Sequence, residues 1–95
     1  MVKHIVMFKL TDKNLVTIEK AVSALKGMTN RIESLKSLEV GVDYKNSERS
    51  YDIVLTALFD NKQGLEVYSN HPIHTPVKQT LLSLCSCSVV VDYEI

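Results

Sequence analysis

A chain of 95 residues with eleven basic and eleven acidic side chains carries no formal net charge. That balance, with no basic run or arginine cluster, excludes the electrostatic footprint of a nucleic-acid binder. The length suits a single domain over residues 1–95 with a small core, and scaffolds of this size commonly add disulfides, a metal or oligomerisation to a core that is marginal alone.

Residues 2–10, VKHIVMFKL, predict a strand rich in β-branched and aromatic types, ending at the helix-start signal Thr11-Asp12. One parity carries Val2, His4, Val6, Phe8 and Leu10; the other carries Lys3, Ile5, Met7 and Lys9. Both are apolar in the middle. His4 and Lys9 make the stretch too polar, and it is too short, for a secretory leader or a membrane span. The chain is read as mature protein from Met1, and no membrane partner is expected.

From Leu15 the period changes. Leu15, Ile18, Val22, Leu25 and Met28 recur at three and four residues, the apolar stripe of an amphipathic helix. Thr11 or Asp12 is the expected N-cap. Gly27 and Asn30 weaken the helix toward its end, while Ile32 and Leu35 continue the spacing and leave the boundary open by a turn.

Residues 37–45 alternate, with Leu38, Val40, Val42 and Tyr44 against Glu39, Gly41 and Asp43, so a strand with one more polar face is predicted. Residues 45–50 form a polar turn. A third strand follows at 51–60, again apolar on both parities: Ile53, Leu55, Ala57 and Phe59 on one, Val54 and Leu58 flanking Thr56 on the other. Residues 62–84 predict a helix broken at His71-Pro72, because proline suits the first turn of a new helix. The last strand, 85–94, carries Cys85, Cys87, Val89, Val91 and Tyr93 on one parity.

The order βαββαβ predicts a ferredoxin-like α+β fold, a four-stranded antiparallel sheet with helices on one face. The uncovered face would expose apolar parts of strands one, three and four. A patch of that size marks an interaction surface, and two-fold self-association is its commonest solution. A homodimer through the open face of the sheet is therefore expected.

Cys85 and Cys87 are expected on one face of the last strand, about 6.6–6.8 Å apart at the backbone, where a disulfide would be strained. Two reduced thiols used as small fillers fit a cytoplasmic protein. A zinc site would need further ligands, so no metal is expected.

Tyr68-x-x-His71-Pro72-x-His74 is the most chemically suggestive string. A histidine near its ordinary pKa of about 6.5 can accept a proton at neutral pH. A tyrosine hydroxyl can donate to a developing enolate oxygen. His4, if it faces the same cavity, could orient a substrate. The structural alternatives are that His71 terminates a helix with its ring on free backbone groups, and that His4 is a satisfied core histidine.

These segments, VKHIVMFKL, SLEVGVDYKNSERSYDIVLTALFD, YSNHPIHTPV and the closing VVVDY, resemble the stress-responsive A/B barrel family of the dimeric α+β barrel superfamily, in order and over nearly the whole chain. The resemblance implies ferredoxin-like protomers whose sheets pack face to face across a two-fold axis. Similarity to the family's plant polyketide (olivetolic acid) cyclases implies aldol-type ring closure without a cofactor. By motif position it places the catalytic histidine on His74 and the catalytic tyrosine on Tyr68, with His4 and His71 as substrate-binding positions. The stretch after His74, including Thr75-Pro76, departs from that pattern. Several haem-degrading and antibiotic-biosynthesis monooxygenases of the wider superfamily use a pocket tryptophan, and this chain has none. The leading expectation is a homodimer binding a small apolar or aromatic ligand. The alternatives are a cyclase-like enzyme, with His74 as general base and Tyr68 as enolate stabiliser, and a purely structural or stress-protection dimer.

Overall fold

The computed structural model describes residues 1–95. Strand β1 (Val2–Leu10) leads into helix α1 (Leu15–Lys26), strands β2 (Ser37–Val42) and β3 (Ile53–Phe59), helices α2 (Lys62–Ser69) and α3 (His74–Leu84), and strand β4 (Cys85–Glu94). The strands form one antiparallel sheet in the order β2-β3-β1-β4. The ferredoxin-like βαββαβ expectation holds, with the second helical stretch split in two. No helix is long and apolar enough to cross a membrane.

Register decides which side chains share a face, since paired residues point the same way. Val2, His4, Val6 and Phe8 pair with Phe59, Ala57, Leu55 and Ile53 of β3, and this face meets the helices. Val2, Phe8, Ile53, Leu55, Ala57 and Phe59 are buried there with Ala21, Leu25, Met28, Ile32, Tyr68 and Leu81 in one contiguous core. The other face carries Ile5, Met7, Val54 and Leu58, continued across β4 by Val89, Val91 and Tyr93. Met7, Val89, Val91 and Tyr93 are exposed.

Several local expectations are corrected. Asn14, not Thr11 or Asp12, caps α1: its side-chain oxygen accepts the Thr17 N–H at 2.9 Å. The first helical bond runs from the Ile18 N–H to the Asn14 carbonyl, so Thr11 and Asp12 lie outside the helix start, and the Thr11 N–H donates to the Leu84 carbonyl at 2.9 Å. Leu15, at the helix start, is exposed rather than part of the buried stripe. Helix α1 stops at Lys26, and Asn30 takes the left-handed conformation (φ 64°) that prevents its continuing. Met28 and Ile32 reach the core from the turns that follow. The β2–β3 connection is longer than predicted and takes up both Tyr44 and Tyr51.

Asp52, the one buried charged residue, anchors that connection. Its carboxylate accepts the Leu10 N–H at 2.8 Å and pairs with Lys13 at 3.1 Å, satisfying a carboxylate that burial would otherwise penalise.

The two cysteines, both free thiols, do not share a face. Lys9 pairs with Cys87 and Leu10 with Cys85, so Ser86 is an extra residue in β4, a bulge. Its hydroxyl donates to the Lys9 carbonyl at 3.3 Å. Cys85 turns toward the helices and Cys87 toward the open face, a flip that simple alternation misses.

Candidate functional site

The helices do not cover their side of the sheet evenly. Helix α1 packs against α3 and β2, while the helix-facing residues of β4 are Ser88, Val90 and Asp92, opposite Phe8, Val6 and His4. Between α3, the end of α1 and strands β1 and β4 lies a half-open cavity of about 370 Å³. That volume is within the range of small-molecule sites. Its walls are mainly apolar, including Val6, Leu25, Met28, Val77 and Leu81.

Three of the four residues singled out in the sequence, His4, Tyr68 and His74, line this cavity. The helix break brings them together. Helix α2 ends at Ser69, the Asn70 N–H donating to the Glu66 carbonyl and the His71 N–H to the Tyr68 carbonyl, and α3 begins at His74. Tyr68 and His74 therefore project from two helix ends toward one point, while His4 rises from the sheet beneath. The ring centroids of Tyr68 and His74 are 4.6 Å apart, and those of His4 and Tyr68 are 5.7 Å apart. Phe59 supports Tyr68 from the core with its ring edge-on at 5.1 Å.

His71 lies apart from the cavity. Its Nδ1 accepts the Ile73 N–H at 3.0 Å, and its carbonyl accepts the His74 N–H at 2.9 Å. The residue thus satisfies backbone donors at the start of α3. Pro76 sits in the first turn, where a missing N–H loses no bond.

The three cavity rings differ electrostatically. Burial pushes the Tyr68 hydroxyl up to about 12, so it stays a proton donor across the physiological range. Burial holds the His74 imidazole below its ordinary value; the Ser69 backbone opposes this, and the charges of Lys78 and His4 add to it. His74 is therefore neutral near pH 7, and its Nδ1 is buried without a hydrogen-bond partner. His4 is largely covered, and its Nδ1 lies 2.5 Å from the Asp92 carboxylate. That contact places the proton on Nδ1 and leaves Nε2 as the nitrogen free to meet a ligand.

Asp92 was not singled out in the sequence because it is 88 residues from His4. Only the β1–β4 register, His4 opposite Asp92, makes them neighbours. Lys78 was missed as well, although it follows His74 by one helical turn. No three His, Cys, Asp or Glu side chains are grouped so that they could hold a metal ion. The arrangement offers a neutral base, a protonated phenol and an oriented imidazole in an apolar wall.

The model of the stress responsive A/B barrel domain family matches residues 2–95. The chain belongs to that family. It is 27% identical over 97 residues to the uncharacterised protein SCO4036 of Streptomyces coelicolor, covering 99% of each chain. A dimeric protein of unknown function and ferredoxin-like fold from Bacteroides fragilis is similar in structure at TM-score 0.85 and 31% identity, over 99% of this chain and 95% of that one. A dimeric ferredoxin-like protein of unknown function from Thermobifida fusca gives TM-score 0.88 at 24% identity, over 99% and 90% of the two chains. Solved structures with this fold thus include dimers of unknown function.

Proposed function

We propose that the protein is a homodimer that pairs the open faces of its sheets and binds a small apolar or aromatic ligand in the cavity of each protomer. The observation that carries the ligand reading is the cluster of His4, Tyr68 and His74 in an otherwise apolar wall. In a core with no ligand to meet, His74 Nδ1 has no well-formed hydrogen bond, only the Ser69 backbone near the ring, and an unmade bond at a buried nitrogen costs about 1–3 kcal/mol. Exposed Met7, Val89, Val91 and Tyr93 on the open face, together with dimeric structural relatives, support the pairing. Two free thiols suit a reducing compartment, the cytoplasm.

A cofactor-independent, polyketide-cyclase-like enzyme is the second reading, favoured by the contact between Tyr68 and His74. Neutral His74 would take the proton of an acidic C–H. The electron pair left behind would move onto the neighbouring carbonyl oxygen, and the Tyr68 hydroxyl would hydrogen-bond that enolate. The resulting carbon nucleophile would then add to a second carbonyl and close a ring, that carbonyl's π pair moving onto its oxygen, which takes up the proton held by His74. His4 would orient the substrate through Nε2, and His71 would serve by fixing the start of α3.

A thermal-shift screen of small aromatic and polyketide-like compounds on wild type, Tyr68→Phe and His74→Ala tests the cavity. Stabilisation that weakens in both variants is expected. Identical responses from all three proteins would sink the ligand reading, and turnover of a bound compound would separate enzyme from binder. Sedimentation at micromolar concentration tests the dimer, which a stable 10.7 kDa monomer would refute.

A further inference from the structure

The cavity carries a charge that an apolar ligand alone does not explain. Lys78 follows His74 by four residues on α3 and lines the same cavity. A lysine exposed on a helix is ordinarily a solvated charge. Lys78 differs in where its charge acts, being close enough to His74 to help disfavour protonation of that ring. It also has no ion-pair partner: the salt bridges of the chain engage His4, Lys13, Lys36 and Lys62.

Nor does the cavity supply a counter-charge of its own. No Asp or Glu is among the residues that line it. Asp92 is turned to His4 Nδ1, and Asp52 is held by Leu10 and Lys13. The remaining polar groups on the walls carry no charge to offset it: the protonated Tyr68 phenol, the neutral His74 ring, the Ser88 hydroxyl, and the Ser86 hydroxyl, whose proton goes to the Lys9 carbonyl. Twelve of the 17 lining residues are hydrophobic, so a fitting ligand is mostly apolar with its polarity at one end. An unpaired cation at the edge of such a wall, with no carboxylate to meet it, selects negative charge at that end.

We propose that the ligand is an amphipathic carboxylate, its apolar body against Val6, Leu25, Met28 and Leu81 and its anionic end paired with the Lys78 ammonium. The inference rests on the cavity being a ligand site and adds the chemical class of the ligand. It makes Lys78 a specificity-determining residue, since an uncharged analogue of the same shape would fill the apolar part equally well.

Calorimetric titration of the protein with 2-naphthoate and with its neutral isostere 2-naphthamide separates charge from shape. The acid is expected to bind wild type about fivefold more tightly than the amide, the size of a partly exposed ion pair. That preference should disappear in Lys78→Ala, persist in Lys78→Arg, and shrink at high salt. Equal binding of acid and amide to wild type, or a preference that survives in Lys78→Ala, overturns the carboxylate inference while leaving the cavity as a ligand site. Failure of both probes to bind wild type overturns both readings. Lys78 is exposed and outside the core, so the variants are expected to fold, and unchanged thermal unfolding without ligand checks this.

Discussion

The two faces of the sheet are made from similar residues and meet opposite conditions. Along β3, Ile53, Leu55, Ala57 and Phe59 are at most 2% exposed beneath the helices. Their neighbours Val54, Thr56 and Leu58 point the other way and are only partly covered. Across the sheet on that second face, Met7 is 40%, Val89 42% and Val91 60% exposed. Hydrophobicity therefore does not tell the two faces apart; what lies over them does. One protomer has enough helix to close one face of four strands, and the other face stays open, the surface through which the proposed dimer would pair. The helix side of β4 is a third case, where the cover runs out and a cavity remains.

The comparison breaks most strongly on the closed face. Phe59 is fully buried and supports the ring of Tyr68. Phe59→Ala should cost about 3–5 kcal/mol, because the lost transfer energy and the hole left behind both count against the fold. Equilibrium urea unfolding checks it. A loss below 1 kcal/mol would mean that the helix layer closes less tightly than the burial of this face implies.

On the open face the same kind of change should act on association. Val91 lies opposite Ile5, in the middle of the exposed apolar stretch. Val91→Lys puts an ammonium where the paired sheets would exclude water, and the dimer dissociation constant should rise about a hundredfold. Isolated protomers should keep their far-UV circular dichroism, since in the monomer this residue already faces solvent. Sedimentation velocity over a dilution series reads the shift. An unchanged dimer would move the interface away from this face.

How far this was legible in the sequence depended on whether the signal was local. Alternation along β3 placed Leu55 and Ala57 opposite Val54 and Thr56 without knowledge of any partner strand. Two apolar parities with helices for only one of them were enough to expect a second copy. His71-Pro72 marked the helix break that sets Tyr68 and His74 against each other. The Ser86 bulge was illegible, because nothing in the C-x-C spacing shows that one residue of β4 goes unpaired. Asp92 was illegible for a related reason: its role depends on register between the two ends of the chain. Asn14 is passed over for Thr11 and Asp12 because all three are good caps, and only the helix start at Leu15, with its first bond from Ile18 to the Asn14 carbonyl, decides between them. The four-residue spacing of Lys78 from His74 was visible, but not that this face of α3 overhangs a cavity.

The smallest expected effect probes the third region, where cover is partial. His74 has its pKa lowered in the folded protein, first by burial, with Lys78 and His4 adding repulsion and the Ser69 backbone opposing it. The unfolded chain keeps the ordinary value of about 6.5. Below that pH the unfolded state takes up a proton that the folded state resists, so protonation favours unfolding. The stability linked to His74 is thus fully present above about pH 6.5 and is lost as pH falls through the lowered folded value. His74→Gln removes this titration while keeping a polar side chain of similar reach. Its Tm should therefore fall less than that of wild type between pH 7.5 and pH 5. The difference should be small, because the ring is only half-buried and a protonated imidazole can still draw on water at the cavity mouth. Equal falls in the two proteins would mean that the ring is hydrated in the folded state much as in the unfolded chain. The wall around Tyr68 and His74 would then behave like the open face of the sheet rather than like the core.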